Sequence, residues 1–406
     1  MKKIIKKIIQ VFQNMIMMIC SLMWKRDDSI VLVGAWFGKR FADNSRYLFQ
    51  YLQENKEKLG LSKVIWVTKD NELCTILNKM GYESYLMNSK ESIKFHKIAG
   101  WHIICNSSDI NADINVKYSY GAKKVQLWHG VGMKAVGNAS NLYARKGKLF
   151  SVCRRIYHIL FGNFVAKGGW NNCAVLATSE MHAKLMSRVM DIPRKNLFIS
   201  GYPRHCKCIK LMPNELEFIE SIKKYKHIII YLPTFRSNYT KYIHPLESDT
   251  LKKYLYDNNI LWIEKQHPAS NFDVTIFNSI DNFRLLDTEF DINVLMDYVD
   301  IVVTDYSSVS FDSINKGIKT ILYTPDSDIF ANEDVGFLYD YTSYFKGIIS
   351  MNIKELIELI NIAFNDNFFN DERNELYKKL RNEFFECKDA NCEKIWKDIN
   401  KYFNIK

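Results

Sequence analysis

The sequence predicts an α/β protein of two Rossmann-like domains facing a cleft, preceded by an amphipathic helix and followed by a helical tail. Three observations predict it. Short β-branched runs alternate with helical stretches along most of the chain, the pattern of parallel sheets covered by helices. That alternation pauses near residues 201–212 and then restarts. The chain has 406 residues, 47% of them hydrophobic and 14% aromatic, too many for one ordinary domain and enough for two cores. With 7 Pro and 17 Gly it is neither collagenous nor a flexible linker array.

Residues 1–26 form the first segment. Positions 4–24 read IIKKIIQVFQNMIMMICSLMW, and the longest unbroken apolar run is Met15 to Cys20. A bilayer span needs about 18–20 residues. A basic start and an apolar stretch resemble a signal peptide, but Leu22-Met23-Trp24 before Lys25-Arg26 offers no small-x-small cleavage site. The pattern fits a helix lying in the membrane interface, with lysines on its polar side and Trp24 near the headgroups. The bland alternative is a helix packed on the domain.

The first domain covers 27–205. Its strands are SIVLVGAW (29–36), KVIWVT (63–68), YESYLM (82–87), HIICN (102–106), VQLWH (125–129), CAVLATS (173–179) and NLFISG (196–201), with helices up to about residue 56 and around 71–80. The second covers 206–370. A helix around 213–224 leads into HIIIYLP (227–233), a helix near 248–257 and ILWIEKQHP (260–268), then FRLLD (283–287), DIVVTD (300–305) and TILYTP (320–325). Helices dominate from about Lys354, and 371–406 are read as packing back on the first domain. No G-x-G-x-x-G follows the first strand, which argues against a standard NAD domain.

The charge is unevenly placed. Against a net +11, residues 1–26 hold six bases (Lys2, Lys3, Lys6, Lys7, Lys25, Arg26) and no acid. The 66 residues from Ile114 to Ser179 hold ten bases and no acid, including Arg154 and Arg155 on an expected amphipathic helix. The remainder is mildly acidic, which argues against a nucleic-acid coat and for two localised anionic contacts. Nine scattered cysteines without a C-x-x-C pair indicate incidental thiols in a reducing compartment.

Ligand groups in parallel α/β sheets lie at the carboxyl ends of strands. Five such places carry polar residues that packing does not require. Trp128-His129-Gly130, with Gly132 and Lys134 beyond, offers a histidine as general base or a satisfied core histidine. Thr234 and Arg236 end the first strand of the second half, where an Arg can grip a phosphate bidentately and a Thr can donate. Lys265-Gln266-His267-Pro268 supplies a second histidine as base, phosphate ligand or loop residue, Pro268 fixing the strand's exit turn. Asp305-Tyr306-Ser307-Ser308, with Asp312, is a strand-to-helix turn suited to a diphosphate, or a plain serine cap with Asp312 facing solvent. Lys39 and Asn44, with Ser45, lie after the first strand, to contact an acceptor or to cap a helix.

With these five in order, the sequence resembles the CDP-glycerol glycerophosphotransferase family of teichoic-acid synthesis. The resembling pieces are GKRFADNSR (38–46), QLWHGVGMKAVG (126–137), GYPR (201–204), YLPTFR (231–236), KQHP (265–268) and DIVVTDYSSVSFD (300–312). The resemblance implies a glycosyltransferase-B-like fold at the cytoplasmic face of the cell membrane. It implies transfer of glycerol phosphate from CDP-glycerol to a lipid-linked acceptor, with release of CMP. His129 would be the acceptor-side base; Arg236, His267, Ser307, Ser308 and Asp312 would bind the donor's diphosphate and glycerol. Two departures leave the donor open among glycerol, ribitol and other polyol phosphates. Asp389-Ala390-Asn391 lacks the family's glycine, and Val131-Gly132 replaces Thr-Pro after WHG. No aspartate pair at metal spacing accompanies the cluster, so no cofactor or metal is required, and magnesium is compatible with it. The competing readings are a capsule polymer transferase of the same fold, a nucleotide-sugar transferase or epimerase, and a non-catalytic membrane-bound binding module.

Overall fold

Parallel strands buried on both faces need near-continuous apolar runs, and the chain supplies them. The structure is a computed structural model. It describes residues 23–106, 113–132, 134–135, 173–190, 192–236, 242–267, 270, 272–333, 336–365, 367–387 and 391–404, together with single positions at 9, 12, 13, 16, 17, 19–21, 139 and 152. The first sheet contains β1 (Asp27–Val33), β2 (Lys63–Thr68), β3 (Ser84–Leu86), β4 (Ala99–Ile104), β5 (Lys123–Gln126), β6 (Cys173–Ala177) and β7 (Leu197–Ile199), in the order β3-β2-β1-β4-β5-β6-β7. The second contains β8 (His227–Leu232), β9 (Ile260–Glu264), β10 (Phe283–Leu285), β11 (Ile301–Thr304), β12 (Lys319–Tyr323) and β13 (Ile349–Ser350), in the order β10-β9-β8-β11-β12-β13. Every pairing is parallel. Numbered from its own first strand, each sheet begins 3-2-1-4, so its topological switch point lies between β1 and β4 or between β8 and β11. Register sets those strand ends level: Val33 stands opposite Ile103, and Leu232 opposite Thr304.

The chain divides into two compact units. The first comprises Met1–His129, Lys148–Lys210 and Asp389–Lys406; the second comprises Gly130–Gly147 and Leu211–Lys388. The break read at 205/206 therefore falls at 210/211. The tail read as 371–406 is also redrawn. Helix Asp371–Phe384 belongs to the second unit, where Phe384 packs edge-on against Phe311 at 4.8 Å and the Tyr377 hydroxyl donates to the Ile318 carbonyl at 2.8 Å. Helix Cys392–Asn404 returns to the first unit, where Trp396 meets Trp101 at 4.9 Å and the Ser200 hydroxyl donates to Asp398 at 2.8 Å.

Two strand ends are shorter than the apolar runs suggest. The run over 29–36 ends at Val33, because Trp36 and Phe37 turn at φ 44° and 62°. The run over 125–129 ends at Gln126, because Trp128 sits at φ 61°. There the Gln126 side-chain oxygen accepts the Trp128 N–H at 3.1 Å. The eight described cysteines form no disulfide with one another.

The described positions from 9 to 21 are helical. Ile9, Phe12, Ile16 and Ile19 follow a 3-4-3 spacing, and each is at least half exposed. Below them Trp24 does not point away from the body: its ring packs 5.9 Å from Tyr118. The Arg26 guanidinium donates to the carbonyls of His96, Ala99, Tyr118 and Tyr120. No helix among the described residues is long and apolar enough to cross a membrane. Lys2, Lys3, Lys6 and Lys7, and the helix expected around Arg154 and Arg155, lie outside the described residues, as do Pro268, Asp389 and Ala390.

Candidate active site

In the first unit the site is built from backbone held in strained shapes. Of five non-glycine residues with positive φ among the described residues, four (Trp36, Phe37, Asp43 and Trp128) lie in the two loops that flank His129. Each such conformation costs about 1–3 kcal/mol and persists only where surrounding contacts over-determine it. Those contacts are visible. Asp43, 4% exposed, accepts from Trp36 Nε1 at 3.1 Å and from the Arg204 guanidinium at 2.6 Å. Asn44, fully buried, donates through Nδ2 to the Trp128 carbonyl at 2.9 Å and accepts the Arg204 N–H at 3.1 Å. Asn44 thus neither caps the helix nor stands open to an acceptor; it braces the histidine loop. Lys39 is exposed at the turn.

His129 is half-buried, its ring stacked on Trp128 at 4.9 Å and tilted against Trp36 at 6.0 Å. Its Nδ1 lies 3.1 Å from the Cys105 carbonyl oxygen. An oxygen of that kind only accepts, so Nδ1 carries the proton and the neutral ring keeps its lone pair on Nε2. That is the tautomer a general base requires. Below this layer lies Asp113, fully buried, whose carboxylate accepts three backbone N–H groups. Burial pushes its pKa up to about 6, with those three hydrogen bonds pulling the other way.

In the second unit, Asp305 at the end of β11 accepts the Thr234 N–H at 2.9 Å and the Arg236 guanidinium at 2.5 Å. Arg236 also binds Asp326 through Nε at 2.8 Å and the Thr234 carbonyl at 2.6 Å, inside a ring of Tyr242, Tyr306 and Phe330. It is 2% exposed. Arg236 was expected to grip a phosphate; the structure places its guanidinium between Asp305 and Asp326. Its guanidinium is committed to two buried carboxylates, and it acts by tying the ends of β8, β11 and β12 together. Burial pulls the guanidinium down, but Asp305 and Asp326 outweigh it and hold its pKa well above the usual value. Beside this clamp Thr234 Oγ1 is buried with no hydrogen-bond partner among the described residues.

The serine turn precedes the short helix Val309–Asn315. Ser308 makes no side-chain capping bond, Ser307 and Ser308 are half-buried, and Asp312 is 6% exposed rather than facing solvent. Gly130 lies against this turn: a Cβ there would stand 2.5 Å from Ser308 Oγ, so only glycine fits. Lys134 pairs with Phe337 in an isolated antiparallel bridge, which ties the segment after Gly130 to the second unit. His267 is exposed, its ring 6.0 Å from Phe235. Its loop leaves β9 at Glu264, which is buried against His244 Nε2 at 3.0 Å. Among the described residues no cluster of three or more His, Cys, Asp or Glu is gathered as a metal site needs.

The chain matches the CDP-glycerol:poly(glycerophosphate) glycerophosphotransferase family over residues 15–401. It belongs to that family. The glycerophosphotransferase is 26% identical over 381 residues to the teichoic acid poly(glycerol phosphate) polymerase of Bacillus spizizenii, covering 87% of this chain and 90% of that one. It is 24% identical over 371 residues to the teichoic acid glycerol-phosphate transferase of Staphylococcus aureus, covering 87% and 88%. Among solved structures, the wall teichoic acid polymerase TagF superposes with a TM-score of 0.70 at 17% identity, covering 99% of this chain and 95% of that one. The glycerophosphotransferase thus has the TagF fold, glycosyltransferase-B-like. Asp113, His244, Glu264 and Asp326 were absent from the candidate residues, and Asp43 and Arg204 left a sequence signal only as members of GKRFADNSR and GYPR.

Proposed function

We propose that the protein transfers glycerol phosphate from CDP-glycerol to a lipid-linked acceptor or a growing poly(glycerol phosphate) chain, releasing CMP, in the synthesis of a teichoic-acid-type polymer. The observation that carries this reading is the close approach of Gly130, the residue after His129, to Ser308 within the second unit. The acceptor hydroxyl oxygen attacks the phosphorus bearing the glycerol ester while His129 Nε2 takes its proton. The bond from that phosphorus to the bridging oxygen breaks, and the electron pair leaves on CMP. Charge grows on the leaving phosphate, so stabilisation falls to the Thr234, Ser307 and Ser308 hydroxyls and to His267. Asp312 accepts from the glycerol hydroxyls, and Lys39 and Lys134 draw the phosphates in.

The reading includes peripheral attachment at the cytoplasmic face of the membrane. The exposed stripe Ile9, Phe12, Ile16 and Ile19 supports it, together with six bases and no acid in residues 1–26. Removing residues 1–26 lowers partitioning onto anionic vesicles while activity on a soluble acceptor analogue persists; unchanged partitioning refutes the attachment. For the reaction, His129→Ala keeps the thermal midpoint but lowers CMP release by about 10²–10⁴-fold, the usual contribution of a general base. Near-normal turnover in that variant sinks the reading. Offering CDP-ribitol beside CDP-glycerol identifies the polyol.

A further inference from the structure

At the switch point of the first sheet the chain leaves β1 and β4 side by side, and both exits converge on one carboxylate. Phe37 N–H donates to Asp113 Oδ1 at 2.7 Å, while Cys105 and Asn106 N–H donate to Oδ2 at 2.9 and 2.8 Å. Asp113 is 0% exposed. Gly34 makes this approach possible, since a Cβ there would stand 2.4 Å from the Asp113 carbonyl oxygen.

Two of these contacts lie at opposite ends of one rigid unit. The Cys105 carbonyl and the Asn106 N–H belong to the same peptide plane, and in a trans peptide they point in opposite directions. No peptide bond among the described residues is cis. When Asp113 holds the Asn106 N–H, it turns the Cys105 oxygen the other way, toward His129 Nδ1 at 3.1 Å. The Gln126 side chain grips the next carbonyl, that of Asn106, and also receives the Trp128 N–H at 3.1 Å. The plane behind the histidine is therefore fixed on both sides.

We propose that Asp113 is a positioning residue for the transfer reaction: through the Cys105–Asn106 peptide plane it fixes the His129 ring in the tautomer that presents Nε2 as the base. Asp113 touches no reacting atom. Its action passes through a backbone carbonyl, which no side-chain substitution at Cys105 removes. The proposal rests on His129 being the general base.

The test begins with the unaltered enzyme. Its nitrogen-15 spectrum at neutral pH, with His129 assigned by the signal lost in His129→Asn, shows a pyrrole-type Nδ1 and a pyridine-type Nε2. The opposite tautomer overturns the proposal, and this measurement needs no variant at Asp113 to fold. In Asp113→Asn a carboxamide N–H₂ replaces one acceptor oxygen and faces N–H donors. There kcat falls by about 10- to 100-fold, part of the roughly 10²–10⁴ a general base supplies, while KM for CDP-glycerol stays within about twofold and the His129 signals become a tautomer mixture. A folded Asp113→Asn enzyme with normal kcat, or one that loses kcat with the tautomer unchanged, overturns the proposal. Full turnover in His129→Asn is a different failure. It removes the base reading itself, and the catalytic meaning of Asp113 with it, whatever the spectrum shows.

Discussion

The two sheets share the order 3-2-1-4 at their switch points, and each switch point is closed by one buried aspartate, yet by different chemistry. Asp113 holds its pair of strand exits through three backbone N–H groups and forms no ion pair among the described residues. Asp305 holds the other pair through one backbone N–H and Arg236, which in turn binds Asp326. The difference teaches where each half can respond. A carboxylate solvated only by amides has its pKa drawn up to about 6 by burial, within reach of a proton. The other switch point instead holds a guanidinium whose pKa Asp305 and Asp326 keep well above its usual value.

The sharpest way to break this comparison is Arg236→Met. It leaves Asp305 and Asp326 buried with no cation and destabilises the second unit by about 3–5 kcal/mol, read by calorimetry. Asp113→Asn strands one or two backbone donors, according to which oxygen the amide replaces, and lowers stability by about 1–3 kcal/mol. Equal losses in the two variants would erase the distinction.

Acid separates the halves next. His96, fully buried in the first unit, has its pKa lowered by burial to about 4. Between that value and the unfolded value near 6.5 the unfolded chain binds more protons, so stability falls as pH falls through this window, by about 3 kcal/mol. His102 is displaced the same way by burial. Asp113 acts oppositely: its raised folded pKa favours the native state as pH falls from about 6 toward 4. The two histidines outnumber it, so the first unit loses stability between pH 6.5 and 4. Seven of the eight tryptophans lie in that unit, so a tryptophan-monitored urea midpoint reports it. A midpoint flat across that range contradicts the expectation.

Gly130→Ala forces a Cβ against Ser308 and costs about 1–3 kcal/mol, with a fall in kcat that Ser308→Gly in the same chain partly reverses. An unchanged melting temperature and kcat would show that the approach is slack. The smallest effect belongs to Thr234→Val. Its hydroxyl has no partner among the described residues, so stability holds or rises slightly, while KM for CDP-glycerol rises about 2- to 10-fold, as one lost neutral hydrogen bond of ~0.5–1.5 kcal/mol implies. A stability loss without a KM change would reassign Thr234 to the scaffold.

Most strands were legible because buried parallel strands demand β-branched runs; KVIWVT matches β2 residue for residue. β13 escaped because it has two residues. At the site, His129, Thr234, His267, Ser307 and Ser308 were legible as polar residues closing apolar runs. Asp113 was not. Its partners are the amides of residues 37, 105 and 106, and any residue but proline provides an amide, so no pattern of side chains announces it. Asn44 and Arg236 were legible as polar residues near strand ends but not in their roles.

By itself the sequence determined the α/β class, the restart into a second sheet, the family and the side chains gathered at strand ends. Those follow from local periodicity and from residue types in order, which survive translation along the chain. Only the tertiary structure decided which of those side chains brace the backbone and which do not. Arg236 and Asp326 are 90 residues apart, and Asp43 and Arg204 are 161 apart. Their roles depend on who surrounds them once water is excluded. An arginine between two buried carboxylates is a clamp, a threonine hydroxyl with none is an open contact, and strand order alone sets which occurs.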